Sequence, residues 1–542
     1  MRKILFFLFI LFTNILFAQN PNPPKLVVGI VVDQMRFDYL YKYWNKFGDG
    51  GFKKLVNKGY QCKNLQYNYV PTYTGPGHSS IYTGTTPDRH GIISNDWFNR
   101  ETNSGIYCTD DKTVKTVGSS TEKVGQMSPR NLLSTTVGDE LRVASMLKSR
   151  VYGIALKDRA AILPAGHIAN AAYWFDGESG NWVSSSFYGN ALPDWIKRFN
   201  KQQKAMTYLN QNWKPMLPIE QYTESLADKT PYETPYKGTT SVTFPYDLKK
   251  LMGDNGGQNL IRSTPFGNSF TKDFALELIE KEKLGQGNFT DMLCVSFSST
   301  DYVGHQFGTD AVETEDVYLR LDADLKILLD SLEATIGKEN LLVFLSADHG
   351  GATVPSYLMD LHAPGGYMNY EPVESELKTW LKTQTGIDSN IIGIFNDQIY
   401  LNETALKANG TNISETELLI ADWLLSVKGI HSSITASDLR RNEYTTGTNH
   451  FIQKGFHPKR SGNVIITLEP NWMEYHQTGT THGSPYSYDT RVPMLWYGWK
   501  IEHGESVLPY FIEDIAPTIS WMLNIPFPNA TSGNPIPIPL KK

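Results

Sequence analysis

Cysteine and clustered basic residues are scarce in this 542-residue chain. Its three cysteines, Cys62, Cys108 and Cys294, lack the spacing of a cysteine metal-binding motif, so a metal site would need histidines and carboxylates. Lysine and arginine nowhere form a basic block, and the formal net charge is −6. A nucleic-acid-binding patch is therefore excluded.

Apolar runs long enough to cross a membrane are also missing, and the one near the start of the chain is short. Arg2 and Lys3 precede an apolar stretch that ends at Ala18, before the polar Gln19. This order of charged, apolar and small residues predicts a signal peptide over 1–18, cleaved after Ala18. An uncleaved anchor is the alternative, which the shortfall from about 20 apolar residues disfavours. We expect a periplasmic or secreted protein whose mature chain has no membrane anchor.

In an exported protein, three cysteines allow one internal disulfide at most. Cys294 lies inside the apolar run 292–295 and is predicted to be a buried thiol. Whether Cys62 pairs with Cys108 is left open by the sequence.

Apolar residues make up 40% of the chain and charged residues 20%, a globular composition with the length to bury a large core. Runs rich in apolar and β-branched residues predict strands buried on both faces: 26–32, 151–156, 292–297 and 340–346. Segments with helical spacing lie between these runs. The alternation predicts an α/β fold, with a parallel-rich central sheet and helices on both faces.

Residues 19–542 are predicted to form one catalytic domain that carries two insertions. The stretch of about 165–258 is rich in Tyr, Trp, Ser, Gly and Pro without a sustained period, which predicts a loop-rich, cap-like insertion. The stretch of about 368–471 alternates helical and strand patterns, which predicts an inserted α+β subdomain. A strand over 492–497 then closes the sheet.

Carboxylates and imidazoles follow three of the predicted strands, and one more histidine lies in a later loop. The carboxyl ends of parallel strands meet at one edge of a sheet, so these side chains should converge. Each of them alone also fits turn chemistry or an ordinary loop residue. Together, three aspartates and three histidines suit two zinc ions. The residues are Asp33, Asp301, His305, Asp348, His349 and His482.

Thr74, in the segment 71–80, is the candidate nucleophile. A hydroxyl held by a metal ion loses its proton more easily, as metal-bound water does. The sequence predicts a short helix that opens at Ser79 and stops near Gly84, with Thr74 in the turn before it. A helix cap or a core-facing threonine is the alternative. The remaining histidines are predicted to be structural or surface residues, with His78 close enough to Thr74 to matter.

The motifs Val-Val-Asp33, Pro-Thr-Tyr-Thr74-Gly-Pro-Gly-His, Asp301-Tyr-Val-Gly-His305, Asp348-His349-Gly-Gly and Thr-His482-Gly-Ser stand in this order along the chain. The chain thereby resembles the alkaline phosphatase superfamily, and more narrowly its exported phosphate-irrepressible enzymes with a threonine nucleophile. The resemblance extends over about 25–537. It implies an alkaline-phosphatase-like fold that hydrolyses small phosphate monoesters.

The resemblance also implies two Zn²⁺ per chain, one held by Asp301, His305 and His482 and the other by Asp33, Asp348 and His349. Thr74 would bind the second zinc and attack phosphorus, which gives a phospho-threonine intermediate. Asn95, Lys157 and Arg159 would bind the substrate's phosphoryl oxygens. Two cations there favour a monoester, which carries two negative charges, over a diester, which carries one.

Three other functions remain to be weighed. A phosphodiesterase or nucleotide pyrophosphatase of the same superfamily would share the threonine and the metal ligands. An exported binding protein without activity is the non-enzyme alternative, although every expected ligand is present. A sulfatase is disfavoured because no modifiable Cys or Ser stands in a C/S-x-P-x-R context near Thr74. The oligomeric state stays open, with a monomer favoured.

Overall fold

The computed structural model describes residues 23–541, so the predicted signal peptide over 1–18 lies outside the described residues. A mixed sheet forms the centre of the molecule. In chain order its strands are β1 (Leu26–Val32), β2 (Tyr60–Cys62), β3 (Thr116–Val117), β4 (Val151–Ala155), β5 (Ala171–Asp176), β6 (Asn181–Ser185), β7 (Asp291–Phe297), β8 (Leu341–Ser346), β9 (Leu495–Gly498) and β10 (Gly504–Ser506). Across the sheet they lie in the order β10-β2-β9-β8-β1-β7-β4-β5-β6-β3.

The five neighbouring strands β8, β1, β7, β4 and β5 run parallel. Every residue of β1, β7 and β8 is buried, as expected for strands covered on both faces. The predicted α/β class with a parallel-rich central sheet is therefore confirmed. Its longer helices are Thr74–Thr83, Val137–Ala144, Asp158–Ala165, Asp194–Lys201, Phe266–Lys281, Ser299–Phe307, Val312–Ile336, Tyr370–Thr385, Ile413–Leu424, Gly447–Gly455 and Ile515–Leu523.

Strand register places the candidate site residues at one edge of this sheet. Val32 of β1 lies opposite Phe297 of β7, and Val31 lies opposite Ser346 of β8. Ser296 lies opposite Ala155 of β4. The residues that follow these four strands therefore leave the sheet side by side.

A second, smaller sheet lies within the segment predicted as an inserted subdomain. Its four antiparallel strands pair in the order Ile391–Phe395, Gln398–Leu401, Val464–Leu468 and Ile430–Thr435. Helices Tyr370–Thr385 and Ile413–Leu424 accompany it, and a separate hydrophobic cluster fills it, including Leu377, Leu381, Ile399, Leu406, Ile420 and Leu424. The boundaries of about 368–471 stay a prediction.

Two expectations about strands need correction. Part of the stretch over about 165–258 is not loop, because β5 and β6 pair within the central sheet. Their aromatic and small residues hide the strand pattern; the cap role of the stretch stays a prediction. The strand predicted over 492–497 is split into Arg491–Val492 and β9. Pro493 separates them, since proline cannot donate a ladder hydrogen bond.

The helix of the candidate nucleophile begins at Thr74, so the predicted start at Ser79 is wrong. Tyr73 is extended and occupies the N-cap position, and Pro76 falls in the first turn, where its missing N–H costs no hydrogen bond. The end is as predicted, with Gly84 in the left-handed region at φ 66°. Thr74 is thus the first helical residue.

All three cysteines are buried free thiols. The disulfide that the sequence left open between Cys62 and Cys108 is not formed, because Cys62 lies in the main core and Cys108 in a separate small cluster. The prediction of a buried thiol at Cys294 is confirmed. Among the described helices, none has the length and apolar character that crossing a membrane requires.

Candidate active site

The first group of predicted metal ligands meets around Asp301, in the helix Ser299–Phe307. Asp301 Oδ1 lies 3.1 Å from Nε2 of His305, one helical turn later, and 3.6 Å from Nε2 of His482. The ligand atoms of these three residues all lie within 4.8 Å of one another. They could hold one metal ion.

The second group meets at the ends of β1 and β8. Asp33, His349 and Asp301 bring ligand atoms within 4.8 Å of one another. His349 Nε2 is 3.5 Å from Asp33 Oδ1 and also 3.5 Å from Asp348 Oδ2. The structure therefore associates His349 with both aspartates, but Asp301 rather than Asp348 completes the tighter group. Asp348 Oδ1 accepts a hydrogen bond from the backbone N–H of Gln34, which leaves Oδ2 to face His349.

The three candidate imidazoles share one orientation. Nδ1 of each lies within hydrogen-bond distance of a backbone carbonyl: 2.7 Å from Thr480 O for His305, 2.7 Å from Thr72 O for His482, and 2.9 Å from Gly350 O for His349. A carbonyl can only accept, so Nδ1 carries the proton and the Nε2 lone pair faces the carboxylates. This is the second-sphere arrangement usual for metal-binding histidines.

Several buried oxygen and nitrogen atoms of this cluster that could bind a metal have no hydrogen-bond partner among the described residues. They include Asp33 Oδ1, Asp348 Oδ2 and His349 Nε2. Leaving such groups unsatisfied in a core is costly, so they require a ligand of their own. A divalent cation fits the donor set of carboxylate oxygens and neutral imidazoles.

Burial and mutual charge set the protonation of this cluster. Burial first, and then the charge of Asp301, raise the pKa of Asp33 to about 6, although Lys157 opposes them. Burial, followed by the charge of Asp33, raises the pKa of Asp348 above its ordinary value. Burial lowers the pKa of His482 to about 3 and that of His349 below its ordinary value. His482 and His349 are therefore neutral at pH 7, the form in which imidazoles bind metals. For His305, burial lowers the pKa, but the charge of Asp301 outweighs burial and raises the pKa above its ordinary value.

Lys157 joins the two groups. Its Nζ lies 2.7 Å from Asp33 Oδ2, 2.6 Å from Asp301 Oδ2 and 3.4 Å from Thr74 Oγ1. Burial lowers the pKa of this ammonium, but the charges of Asp301 and Asp33 outweigh that effect and raise it above its ordinary value. Lys157 thus places a permanent positive charge beside the candidate nucleophile. The predicted role of Lys157, binding the phosphoryl oxygens, does not explain its ion pairs with Asp33 and Asp301.

Thr74 is buried beside Asn95 and Asp348. The backbone N–H of Gly75 donates to Asn95 Oδ1 over 2.8 Å, which leaves the amide NH₂ of Asn95 available to a substrate. A Cβ on Gly77 would lie 2.3 Å from the carbonyl oxygen of Asp348. Glycine at position 77 therefore allows the nucleophile helix to touch the backbone of a candidate metal ligand.

Tyr107, which belongs to none of the sequence motifs, positions Arg159. Its guanidinium donates to Tyr107 Oη over 2.9 Å, and that phenol donates to Asp158 Oδ1 over 3.0 Å. Thr109 Oγ1 also donates to Asp158. Within the described residues Arg159 forms no ion pair, and its Nε has no partner. Its charge is therefore available to an anion.

Three further residues support the cluster although the sequence assigned them no role in it: Gln34 and His78 contact it, and Arg262 contacts Tyr302 beside it. Gln34 Nε2 donates to Asp301 Oδ1 over 2.9 Å. His78 lies 2.9 Å from Thr74 O and 3.3 Å from Asp348 Oδ2 through Nδ1, so it is a buried support of the site. Arg262 donates to the hydroxyl of Tyr302, the residue after Asp301. Of these three residues, the sequence pointed only to His78, because it lies four positions after Thr74.

A comparison with protein families matches residues 27–490 to the family described as type I phosphodiesterase / nucleotide pyrophosphatase. A Myroides odoratus protein named calcium-transporting ATPase is 43% identical over 526 residues, 96% of each chain. Alkaline phosphatase PafA of Elizabethkingia meningoseptica is 41% identical over 529 residues, 97% of this chain and 96% of that one.

The crystal structure of wild-type alkaline phosphatase PafA superposes with a TM-score of 0.92, covering 95% of this chain and 98% of that one. The resemblance predicted from the sequence motifs is therefore confirmed over nearly the whole chain. The chain belongs to the type I phosphodiesterase / nucleotide pyrophosphatase family of the alkaline phosphatase superfamily.

Proposed function

We propose that this protein is an alkaline phosphatase that hydrolyses small phosphate monoesters through a phospho-threonine intermediate. Relatives that share about two residues in five over their full length carry the name alkaline phosphatase, which supports the reaction class. The name of the Myroides odoratus relative denotes ATP hydrolysis, which is a phosphoryl transfer as well.

Two zinc ions complete the proposed site. Asp301, His305 and His482 would hold one, and Asp33, Asp348 and His349 would hold the other, with Thr74 as a further ligand. The unpartnered Asp33 Oδ1, Asp348 Oδ2 and His349 Nε2 support this assignment. Bound zinc supplies Lewis acidity that favours the alkoxide of Thr74 and stabilises the leaving oxygen.

Thr74 Oγ1 attacks phosphorus, which forms the Oγ1–P bond and breaks the P–O bond to the leaving alcohol. Water then attacks the phospho-threonine, which breaks the Oγ1–P bond and releases inorganic phosphate. The amide of Asn95, the ammonium of Lys157 and the guanidinium of Arg159 bind the non-bridging oxygens, where negative charge collects. The carbonyls of Thr72, Thr480 and Gly350 hold the imidazole orientations through both steps.

One observation carries the proposal: the Thr74 hydroxyl lies 3.4 Å from a buried ammonium that itself joins the two clusters of metal-ligand type. A nucleophile, a permanent cation and two donor groups thus meet at one point. This is what an in-line displacement at a dianionic phosphoryl group requires.

The second candidate is a phosphodiesterase, which the description of the matching family names. The deciding measurement is kcat/KM for an aryl monoester and for the methyl diester with the same leaving group. We expect a large preference for the monoester, because Lys157 and Arg159 together match two negative charges. A preference for the diester would reject the monoesterase proposal and favour the alternative. Turnover of neither ester by zinc-loaded protein would favour the inactive binding relative.

Export to the periplasm or beyond remains our proposal from the sequence alone, as does the monomer. Small phosphate monoesters would be the partners in that compartment. N-terminal sequencing of secreted material checks the cleavage site after Ala18.

A further inference from the structure

A cavity beside the candidate metal site has the chemistry of a cation receptor. It lies between the loop 481–489 and the inserted subdomain and has a volume of about 100 Å³. His482 and Tyr73 form part of its wall, so it borders both a predicted zinc ligand and the residue that precedes Thr74. The Tyr73 ring packs edge-on against the His482 imidazole at 5.4 Å between centroids.

Acidic side chains line this cavity, and no lysine or arginine of the described residues does. The acids are Asp397, Glu474 and Asp489, and the ion pairs found among residues 23–541 include none of them. The wall of the cavity therefore carries negative charge, with no compensating lysine or arginine among its lining residues.

Asp489 gives this cavity an unfilled acceptor. The side chain is 1% exposed. Its Oδ2 accepts hydrogen bonds from Ser484 N and Ser484 Oγ over 2.8 and 2.6 Å, whereas Oδ1 has no partner in the described part of the chain. A buried carboxylate oxygen without a donor is unfavourable and is satisfied by a cation or a donor group from outside.

Aromatic and apolar side chains form the rest of the wall, among them Trp472, Phe456 and Tyr488. Aromatic faces attract alkylammonium groups, and a nearby carboxylate strengthens that attraction. An inorganic cation would prefer a smaller site made of oxygen atoms only. The mixture of rings and carboxylates therefore favours an organic cation.

We propose that this cavity receives the positively charged leaving group of an amino-alcohol phosphate monoester, such as phosphocholine or phosphoethanolamine. The inference rests on the proposed function. In an in-line displacement the leaving oxygen lies opposite Thr74, on the side of Asp301, His305 and His482. A two-carbon arm that leaves this oxygen past His482 would bring its ammonium to the cavity that His482 borders.

The test compares phosphocholine with 3,3-dimethylbutyl phosphate, a neutral isostere in which carbon replaces the charged nitrogen. We expect the zinc-loaded enzyme to prefer phosphocholine in kcat/KM by about tenfold, the scale of one desolvated cation–aromatic contact. The preference should fall to near onefold in a variant that carries Asp397→Asn and Glu474→Gln. Asparagine tolerates the left-handed backbone of Asp397, at φ 58°, so this variant should fold.

A matched variant removes the same charge elsewhere in the inserted subdomain. Asp388→Asn with Glu376→Gln changes two exposed acids outside the cavity lining, and the preference should persist there. Equal kcat/KM for the two esters in the wild-type enzyme would overturn the inference while leaving the monoesterase proposal intact. A preference that survives in the Asp397/Glu474 variant would also overturn it.

A binding measurement separates the cavity from the catalysis. Calorimetry with tetramethylammonium chloride on zinc-loaded Thr74→Ala protein needs no turnover. Binding that the Asp397/Glu474 substitutions weaken about tenfold would support the cavity even if neither ester were hydrolysed. In that case the proposed function would fail and the cation receptor would stand. No detectable heat of binding with the unaltered cavity would overturn the receptor.

Discussion

The sheet edge and the inserted subdomain contribute to the candidate site in opposite ways. At the sheet edge, Asp33, Asp348 and His349 follow fully buried strands and are themselves inaccessible to solvent. The subdomain contributes Asn396 and Asp397, which lie in a hairpin turn with φ of 51° and 58° and are only partly buried. Groups that must be held rigidly lie on the scaffold, and groups that can vary lie on a turn.

This difference implies that the reaction depends on the sheet edge and that the preference among leaving groups depends on the subdomain. Asn396 Nδ2 donates to Asp96 O over 2.9 Å, and the rings of Phe98 and Phe395 stack at 6.2 Å between centroids. The turn therefore supports the backbone next to Asn95. Four experiments, on metal removal, Thr74, Arg159 and Asn396, test the contrast between the two regions.

Metal removal should have the largest effect. Exhaustive chelation is expected to abolish monoester hydrolysis, because the buried carboxylates and imidazoles lose the charge that they are arranged to bind. Elemental analysis should find about two zinc ions per chain before chelation, as the two donor groups require. Zinc should restore the activity.

His482→Ala should lower the zinc content by about one ion per chain and serves to assign the two groups. Chelation should also lower the melting temperature, because a metal that binds only the folded state stabilises it. Full activity in metal-free protein would contradict a catalytic role for the sheet-edge ligands.

Thr74→Ala is expected to lower kcat for an aryl monoester about 10⁴-fold or more, in line with the loss of other covalent nucleophiles. The zinc content and the melting temperature should remain close to those of the unaltered protein. Thr83→Ala, at the other end of the same helix, controls for the loss of a buried threonine. Near-normal turnover by the Thr74 variant would reject the nucleophile assignment.

Arg159→Ala should lower kcat/KM for the monoester about 10²-fold, the usual effect of removing one group that stabilises transition-state charge. The matching diester should lose less, because it presents one charge fewer. Tyr107→Phe should reproduce a smaller part of the same loss, since Tyr107 positions the guanidinium. Equal losses on both esters would remove Arg159 from the selectivity. Arg130, exposed and paired with Asp111, provides the control substitution Arg130→Ala.

Asn396→Ala should have the smallest effect, about fivefold in kcat/KM, which is the value of one hydrogen bond. If the turn acts by positioning Asn95, this loss should disappear in an Asn95→Ala background. Asn409→Ala changes an exposed asparagine of the same subdomain and should leave kcat/KM unaltered. Additive losses in the double variant would mean that Asn396 acts independently of Asn95.

Four of the five parallel strands were predictable because they are continuous apolar runs, a pattern typical of strands buried on both faces. The convergence of Asp33, Asp301 and His349 follows from that topology alone. β5 and β6 were missed because aromatic residues such as Trp174 and Trp182 do not specify a strand without their neighbours. The start of the nucleophile helix was missed because Gly75 and Gly77 have low helix propensity, which packing against β8 and Asn95 overrides.

The details of the site could not be predicted because they depend on distances between elements far apart in the chain. No local pattern connects Lys157 with Asp33, although the two side chains lie 2.7 Å apart in space. The same holds for Arg159 and Tyr107. The motifs indicate which residues belong to a site, whereas the partner of each charge emerges only from the packed structure.

At Gly77 the helix Thr74–Thr83 packs against the backbone of Asp348, just beyond the end of β8. Since a Cβ at this position would lie 2.3 Å from Asp348 O, the separation between Thr74 and the Asp348 backbone is set by contact of main chain with main chain. Replacing the side chains of the proposed metal ligands would change the affinity for metal without changing that separation. A protein engineer could therefore exchange the ligands at this site to alter its metal preference. The distance between Thr74 and the Asp348 backbone would stay the same.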